Sequence, residues 1–131
     1  MIGLDTNILV RYITGDDSVQ TAVAVKLIDS FSADSPGFIS LIAIVELAWV
    51  LEDSYGFNKK EIEHVLEILS QTAELVTERA EAVARALRRY RASSADFADC
   101  LIEICGDAAE CEHTFTFDKK AARTAGMRLL G

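Results

Sequence analysis

One acidic residue inside a long apolar run constrains the fold of this chain more than any other feature. The segment Leu41–Leu51 reads LIAIVELAWVL, and Glu46 is the only residue in it that can carry a charge. Burying an ionised carboxylate without a partner is costly, or keeps the group protonated. We therefore expect a positive charge to lie close to Glu46.

Three further acids follow or interrupt apolar segments. Asp5 comes directly after MIGL, Asp99 lies in DFADCLIEI, and Asp118 ends TFTFD. No Lys or Arg is embedded alongside these acids. The pattern therefore predicts a bound metal cation as the missing positive charge, because hard divalent cations prefer oxygen ligands.

Length and composition predict a single domain over residues 1–131. Half of the 131 residues are apolar, which is enough for a core of its own. No apolar stretch is long enough to cross a bilayer, and no basic segment precedes an apolar one at the N-terminus, so we expect a cytoplasmic protein without membrane contact. The net charge of −8 disfavours a broad phosphate-binding surface. Contact with an anionic substrate should be local or metal-mediated.

Short apolar strands alternate with amphipathic helices and no hairpin signal separates them. This order predicts an α/β fold in which a central parallel sheet of about four or five short strands is sandwiched by helices. Expected strands lie at residues 1–4, 38–39, 73–76, 114–117 and 127–130. Expected helices begin after residues 5–7, at the turn 15–18 and after Asn58, and cover residues 41–53, 78–91, 95–104 and 118–125, with Gly106 ending the sixth. On the second helix, a spacing of four predicts a buried face of Val19, Val23, Leu27 and Phe31.

The carboxylates are expected to meet at one edge of this sheet. Asp5 and Asp118 follow predicted strands, and functional groups gather beyond the carboxyl ends of parallel strands. Asp96 and Asp99 are three residues apart and can share a helix face. Glu46 would approach from the opposite wall. Individually, each acid also has a simpler reading: Asp5, Asp96 and Asp118 as helix caps or favourable charges at helix starts, and Asp99 on a solvated face.

Converging carboxylates repel one another, and a divalent cation reduces that repulsion. Mg²⁺ retains several waters and often bridges protein carboxylates to substrate phosphate. Such an ion orients a water and lowers its pKa, and it also brings the positive charge that this acidic chain lacks. Phosphodiester hydrolysis is the reaction that suits this chemistry.

Four motifs in order resemble those of PIN-domain proteins: LDTNILVRYI, IVELAWVL, DFADCLI and TFTFDKKAA. The chain is most similar to the VapC ribonuclease toxins of type II toxin–antitoxin modules, over essentially its whole length. The resemblance implies a parallel sheet between helices and a Mg²⁺- or Mn²⁺-dependent endoribonuclease acting on a structured RNA such as tRNA or rRNA. It also implies a homodimer and inhibition by a VapB-type antitoxin.

The resemblance assigns roles residue by residue. Asp5, Glu46 and Asp99 would be the core metal-binding acids, and Asp118 a fourth, weaker ligand. Asp96 matches only a variant of the third motif. The hydroxyls of Thr6 and Thr116 would orient carboxylates or water. Basic residues expected to contact the RNA backbone are Arg85, Arg88, Arg89, Lys119 and Arg123.

Other functions compete with this interpretation. A phosphatase that forms an aspartyl-phosphate needs a second acid two residues after its nucleophile, but Asn7 stands there. A phospho-receiver domain needs paired acids at the end of its first strand. The alternative from another class is a non-catalytic PIN-like module that binds a partner or RNA, in which the acids are caps and surface groups.

Overall fold

The computed structural model describes residues 1–131 as two compact units, Met1–Glu78 and Arg79–Gly131. The elements of the first unit are β1 (Ile2–Gly3), α1 (Thr6–Thr14), α2 (Ser18–Asp29), β2 (Gly37–Ile39), α3 (Leu41–Tyr55), α4 (Lys59–Gln71) and β3 (Leu75–Thr77). Those of the second are α5 (Ala80–Ala92), α6 (Phe97–Ala108), β4 (Phe115–Thr116), α7 (Lys119–Thr124) and β5 (Arg128–Leu129). The predicted α/β class is confirmed. No helix combines the length and the apolar character that crossing a membrane requires.

All strand pairs are parallel. In the first unit the order is β1-β2-β3, with Ile2 opposite Gly37 and Gly37 opposite Leu75. In the second unit β4 pairs with β5, and Phe115 lies opposite Arg128. The expected short parallel strands are thus present as a three-stranded and a two-stranded sheet. Because parallel strands share a direction, the residues that follow them leave each sheet at one edge.

Local sequence explains where the helices of the first unit begin and end. Ser40 caps α3 by accepting a hydrogen bond from the backbone N–H of Ala43, and Gly56 ends that helix at φ +67°. A left-handed residue of this kind is most easily supplied by glycine. Asn58 and Glu61 form a reciprocal capping box at the start of α4.

The helices bury one apolar face each. The fully buried large side chains of the first unit include Leu9, Ile44, Leu47, Leu51, Ile62, Leu66 and Leu69. In the second unit Val83, Cys100 and Ile104 are buried to the same degree, and α5 packs against α6. Each buried Leu or Ile contributes roughly 1.5–3 kcal/mol. The helices therefore supply most of the apolar burial, since the strands are only two or three residues long.

The predicted buried face of α2 is wrong for its first half. Val19 and Val23 are 73% and 64% exposed, whereas Ala24 and Ile28 are buried. The buried face is rotated by one residue, or about 100°. In this arrangement the small side chain of Ala24 lies inward, where α2 packs against α1. Phe31 is buried, as expected.

Gly106 does not end α6, as its sequence position had predicted, because the helix continues to Ala108. A Cβ at Gly106 would lie 2.6 Å from Oγ1 of Thr114. The glycine is therefore explained by the close approach of the segment that precedes β4. The other boundaries agree with prediction to within about two residues, the usual ambiguity at element ends.

Replacing Gly37 by Ala should destabilise the protein, because the new Cβ would lie 2.5 Å from Cε2 of Phe31 and 3.1 Å from Cδ2 of Leu75. Both neighbours are buried. We expect the free energy of unfolding to fall by about 1–3 kcal/mol, the usual range for overpacking. Gly3→Ala on β1 is the matched control, because nothing lies within 4 Å of its Cβ. Equal urea midpoints for the two variants would contradict this packing.

Candidate active site

Three of the predicted site acids lie in the second unit, together with one lysine. Asp96 occupies the cap position of α6, but its side chain makes no capping hydrogen bond. Its Oδ1 instead accepts a hydrogen bond from Nζ of Lys120 at 3.3 Å. Asp99 lies in the first turn of the same helix and is half-buried. The predicted cap position of Asp96 is confirmed, but its carboxylate pairs with a cation from α7 and makes no capping hydrogen bond.

Asp118 holds the start of α7. Its Oδ1 accepts hydrogen bonds from the backbone N–H groups of Lys120, at 2.8 Å, and Ala121, at 3.3 Å. Its own N–H donates to Oγ1 of Thr116 at 3.0 Å. Thr116 thus fixes the backbone of Asp118, and the two capping bonds fix its carboxylate.

The pKa of Asp99 reflects its surroundings in the second unit. Burial raises the pKa of the Asp99 carboxyl, and the negative charges of Asp96 and Asp118 raise it further. The ammonium of Lys120 acts in the opposite direction. Since these charges perturb one carboxyl, α6 and the start of α7 bring the three acids into a common environment.

In the first unit, Asp5 follows β1 and caps α1. Its Oδ1 accepts a hydrogen bond from the backbone N–H of Thr6 at 2.7 Å, and Thr6 is buried. Glu46 lies in the middle of α3, which packs against α1. These two acids therefore belong to helices in direct contact.

Glu46 is not buried, contrary to the reasoning from its apolar surroundings. It is exposed, and so are Ile42 at 79% and Trp49 at 62%. These residues are separated by four and three positions, so they share one face of α3. The opposite face, with Ile44, Leu47 and Leu51 among its members, is the buried one. The run is apolar because both faces carry apolar residues, and Glu46 interrupts the exposed one.

Sequence reasoning missed two charged residues that lie beside the elements carrying the predicted acids. Glu78 directly follows β3, and its Oε1 accepts a hydrogen bond from the backbone N–H of Leu41 at 2.7 Å. It therefore helps to cap the helix that carries Glu46. Lys120 contacts both Asp96 and Asp118. The pair Lys119-Lys120 follows Asp118 in the sequence, but only the geometry of α7 distinguishes which lysine reaches an acid.

The predicted RNA contacts, all in the second unit, differ in their surroundings. Arg89 forms an ion pair with Glu103 and donates to the carbonyl oxygen of Ala125 at 2.8 Å. Arg85 pairs with Asp107 at 2.7 Å. The remaining three are exposed: Arg88, Lys119 and Arg123. Arg89 thus joins α5 to α6 and to the turn after α7.

Carboxylate oxygens suit a hard divalent cation, and burial together with the charges of Asp96 and Asp118 raises the pKa of the Asp99 carboxyl. Within neither unit do three His, Cys, Asp or Glu side chains already converge closely enough to hold a metal ion. The residue types therefore fit the ion.

Comparison with protein families gives a match to the PIN domain over residues 2–127. The match covers both compact units and all the predicted site acids. No curated protein matches the chain significantly.

Asp99→Asn should stabilise the metal-free protein at neutral pH. The native state raises the pKa of this carboxyl above its ordinary value of 3.8. Its stabilising contribution is therefore present below that value and is lost as the pH rises through the native pKa. We expect the variant's advantage in EDTA to be absent below about pH 3.8 and to grow as the pH rises above that value in urea denaturation. Asp34→Asn, at an exposed loop position, is the control. A pH-independent effect of Asp99→Asn would contradict the electrostatic origin.

Proposed function

Because the chain belongs to the PIN domain family, whose members are generally metal-dependent nucleases, we propose that it is a Mg²⁺- or Mn²⁺-dependent endoribonuclease. The observation that carries the proposal is the Asp99 carboxyl in the second unit, whose pKa is raised by burial and by the negative charges of Asp96 and Asp118. Like charges kept close together without a shared proton or cation are unfavourable. A bound divalent ion removes that penalty.

We assign the metal to Asp5, Glu46 and Asp99, with Asp118 and Asp96 as further ligands or water-positioning acids. The order of the four motifs along the chain supports this assignment. The proposal treats residues 1–131 as one domain, because the family match runs through both compact units.

The chain's own residues have defined tasks in this mechanism. Helix capping fixes the carboxylates of Asp5 and Asp118. The backbone N–H of Thr6 donates to the Asp5 carboxylate, and the hydroxyl of Thr116 accepts a hydrogen bond from the backbone N–H of Asp118. When bound, the divalent ion lowers the pKa of a water molecule and stabilises negative charge on the phosphate. The exposed basic side chains proposed to contact the RNA backbone are Arg88, Lys119 and Arg123. Arg85 and Arg89 would contact RNA only by exchanging their present acidic partners for RNA phosphates.

We further propose a toxin of the VapC type, acting on tRNA or rRNA, with a VapB-type antitoxin and a homodimeric assembly. Two surfaces of the first unit support a protein partner. One is the exposed face of α3 with Ile42 and Trp49. The other is a groove of about 460 Å³ between α1 and α4, whose lining includes Tyr12, Phe57 and Ile68.

A non-catalytic PIN-like module that binds a partner or RNA is the second candidate. Asp5 and Asp118 do act as helix caps, and no three acids converge within a unit. On this reading the carboxylates are structural. Metal binding separates the two candidates, because caps and surface acids predict none.

Mn²⁺ or Mg²⁺ should raise the melting temperature of the purified protein relative to EDTA. A ligand that binds only the native state adds about 2.7 kcal/mol at a hundredfold excess over Kd. Glu46→Gln and Asp99→Asn should lose most of this rise, whereas Asp34→Asn should keep it. The absence of a metal-induced rise in the wild-type protein would favour the binding module.

RNA cleavage in Mg²⁺ or Mn²⁺ should fall at least about 100-fold in Asp5→Asn and in Asp99→Asn. Even outer-shell partners of a metal are worth roughly 10- to 100-fold, so its direct ligands should matter more. Rates on a tRNA mixture and on rRNA, with Asp34→Asn as the control, measure this effect. Wild-type rates in both variants would exclude the proposed site.

A further inference from the structure

We propose that Lys120 is the resident cation of the acidic cluster and competes with the divalent metal for Asp96. In the structure its ammonium pairs with Oδ1 of Asp96 at 3.3 Å. Metal binding then requires exchange of this lysine for the ion. The inference rests on the proposed metal-dependent function and names a residue that sets the metal affinity of the site.

The position of Lys120 is set by one of the proposed ligands. Its backbone N–H donates to Oδ1 of Asp118 at 2.8 Å, so its Cα is fixed at the start of α7. From there the side chain reaches Oδ1 of Asp96 at 3.3 Å. Lys120 therefore contacts both Asp96, through its ammonium, and Asp118, through its backbone N–H.

The ion pair has little value as a structural contact. The side chains of Lys120 and Asp96 are 48% and 60% exposed, and exposed ion pairs contribute little to stability. Asp96 also forgoes the usual capping bond of its position. A local electrostatic role explains the pairing better, because it places the ammonium of Lys120 against a carboxylate of the proposed metal site.

Competition follows from simple electrostatics. An ammonium carries one positive charge and a divalent ion two, so the ion binds a carboxylate cluster more strongly once it is present. The ammonium must leave Asp96 or remain close to a like charge. Either outcome weakens metal binding relative to a site without the lysine, and Lys120 thereby sets the metal concentration at which the site fills.

The test is the Mn²⁺ affinity of the full chain, measured by titration calorimetry for wild type, Lys120→Met and Lys120→Arg. Met preserves helix propensity and side-chain length. We expect Lys120→Met to bind Mn²⁺ about three- to tenfold more tightly, and Lys120→Arg to remain near wild type. Lys119→Met is the matched control, because it removes the same charge one residue away and Lys119 is exposed. Circular dichroism verifies that each variant is folded.

The salt dependence of Mn²⁺ affinity is a second readout, because a lysine with a purely structural role would not produce it. Raising the ionic strength should reduce the difference between wild type and Lys120→Met, since exposed charges are screened. Unchanged or weaker Mn²⁺ binding in Lys120→Met would overturn the inference while leaving the nuclease proposal standing. A wild-type protein that binds no Mn²⁺ would overturn both.

Discussion

The structure depends on the parallel pairing of very short strands. Two- and three-residue strands form few hydrogen bonds, so their pairing persists only because helices bury apolar side chains around them. The parallel pairing fixes the direction of the strands, and therefore the sheet edge at which the chain leaves them. In the first unit it places Asp5 and Glu78 after the two outer strands of one sheet, at the same edge. In the second unit Asp118 follows the strand that pairs with β5.

Helix capping and metal binding make compatible demands on these acids. A cap uses a carboxylate oxygen to satisfy backbone N–H groups, and that use also fixes the side chain in space. Asp118 makes both of its capping bonds through Oδ1. A cap is thus a means of holding a ligand rigidly, and the structural and functional readings of Asp5 and Asp118 do not exclude each other. Asp96 differs, because its carboxylate contacts the side-chain ammonium of Lys120 and makes no capping bond to the backbone.

The order and type of every element could be predicted from the sequence, because caps, glycines and apolar spacing are local signals. The orientation of α2 could not, since either Val23 or Ala24 can face inward at helical spacing, and packing against α1 decides it. Exposure of Glu46 was missed for a related reason: an apolar run does not reveal whether one face or both are covered. Lys120 was missed because two lysines follow Asp118 in the sequence, and the sequence alone does not show which side chain points toward an acid.

The net charge of −8 limits how such a chain can act on a polyanion. Two of the five arginines and lysines expected to meet RNA are paired with acids, which leaves a sparse basic surface. Screening confines each exposed charge to a short range, so the excess acid elsewhere repels phosphate only weakly at physiological salt. Positive charge is then needed only where a phosphate is held. In the proposed function a divalent ion at the carboxylates would meet that need, because the same acids that repel the substrate would concentrate the cation that attracts it.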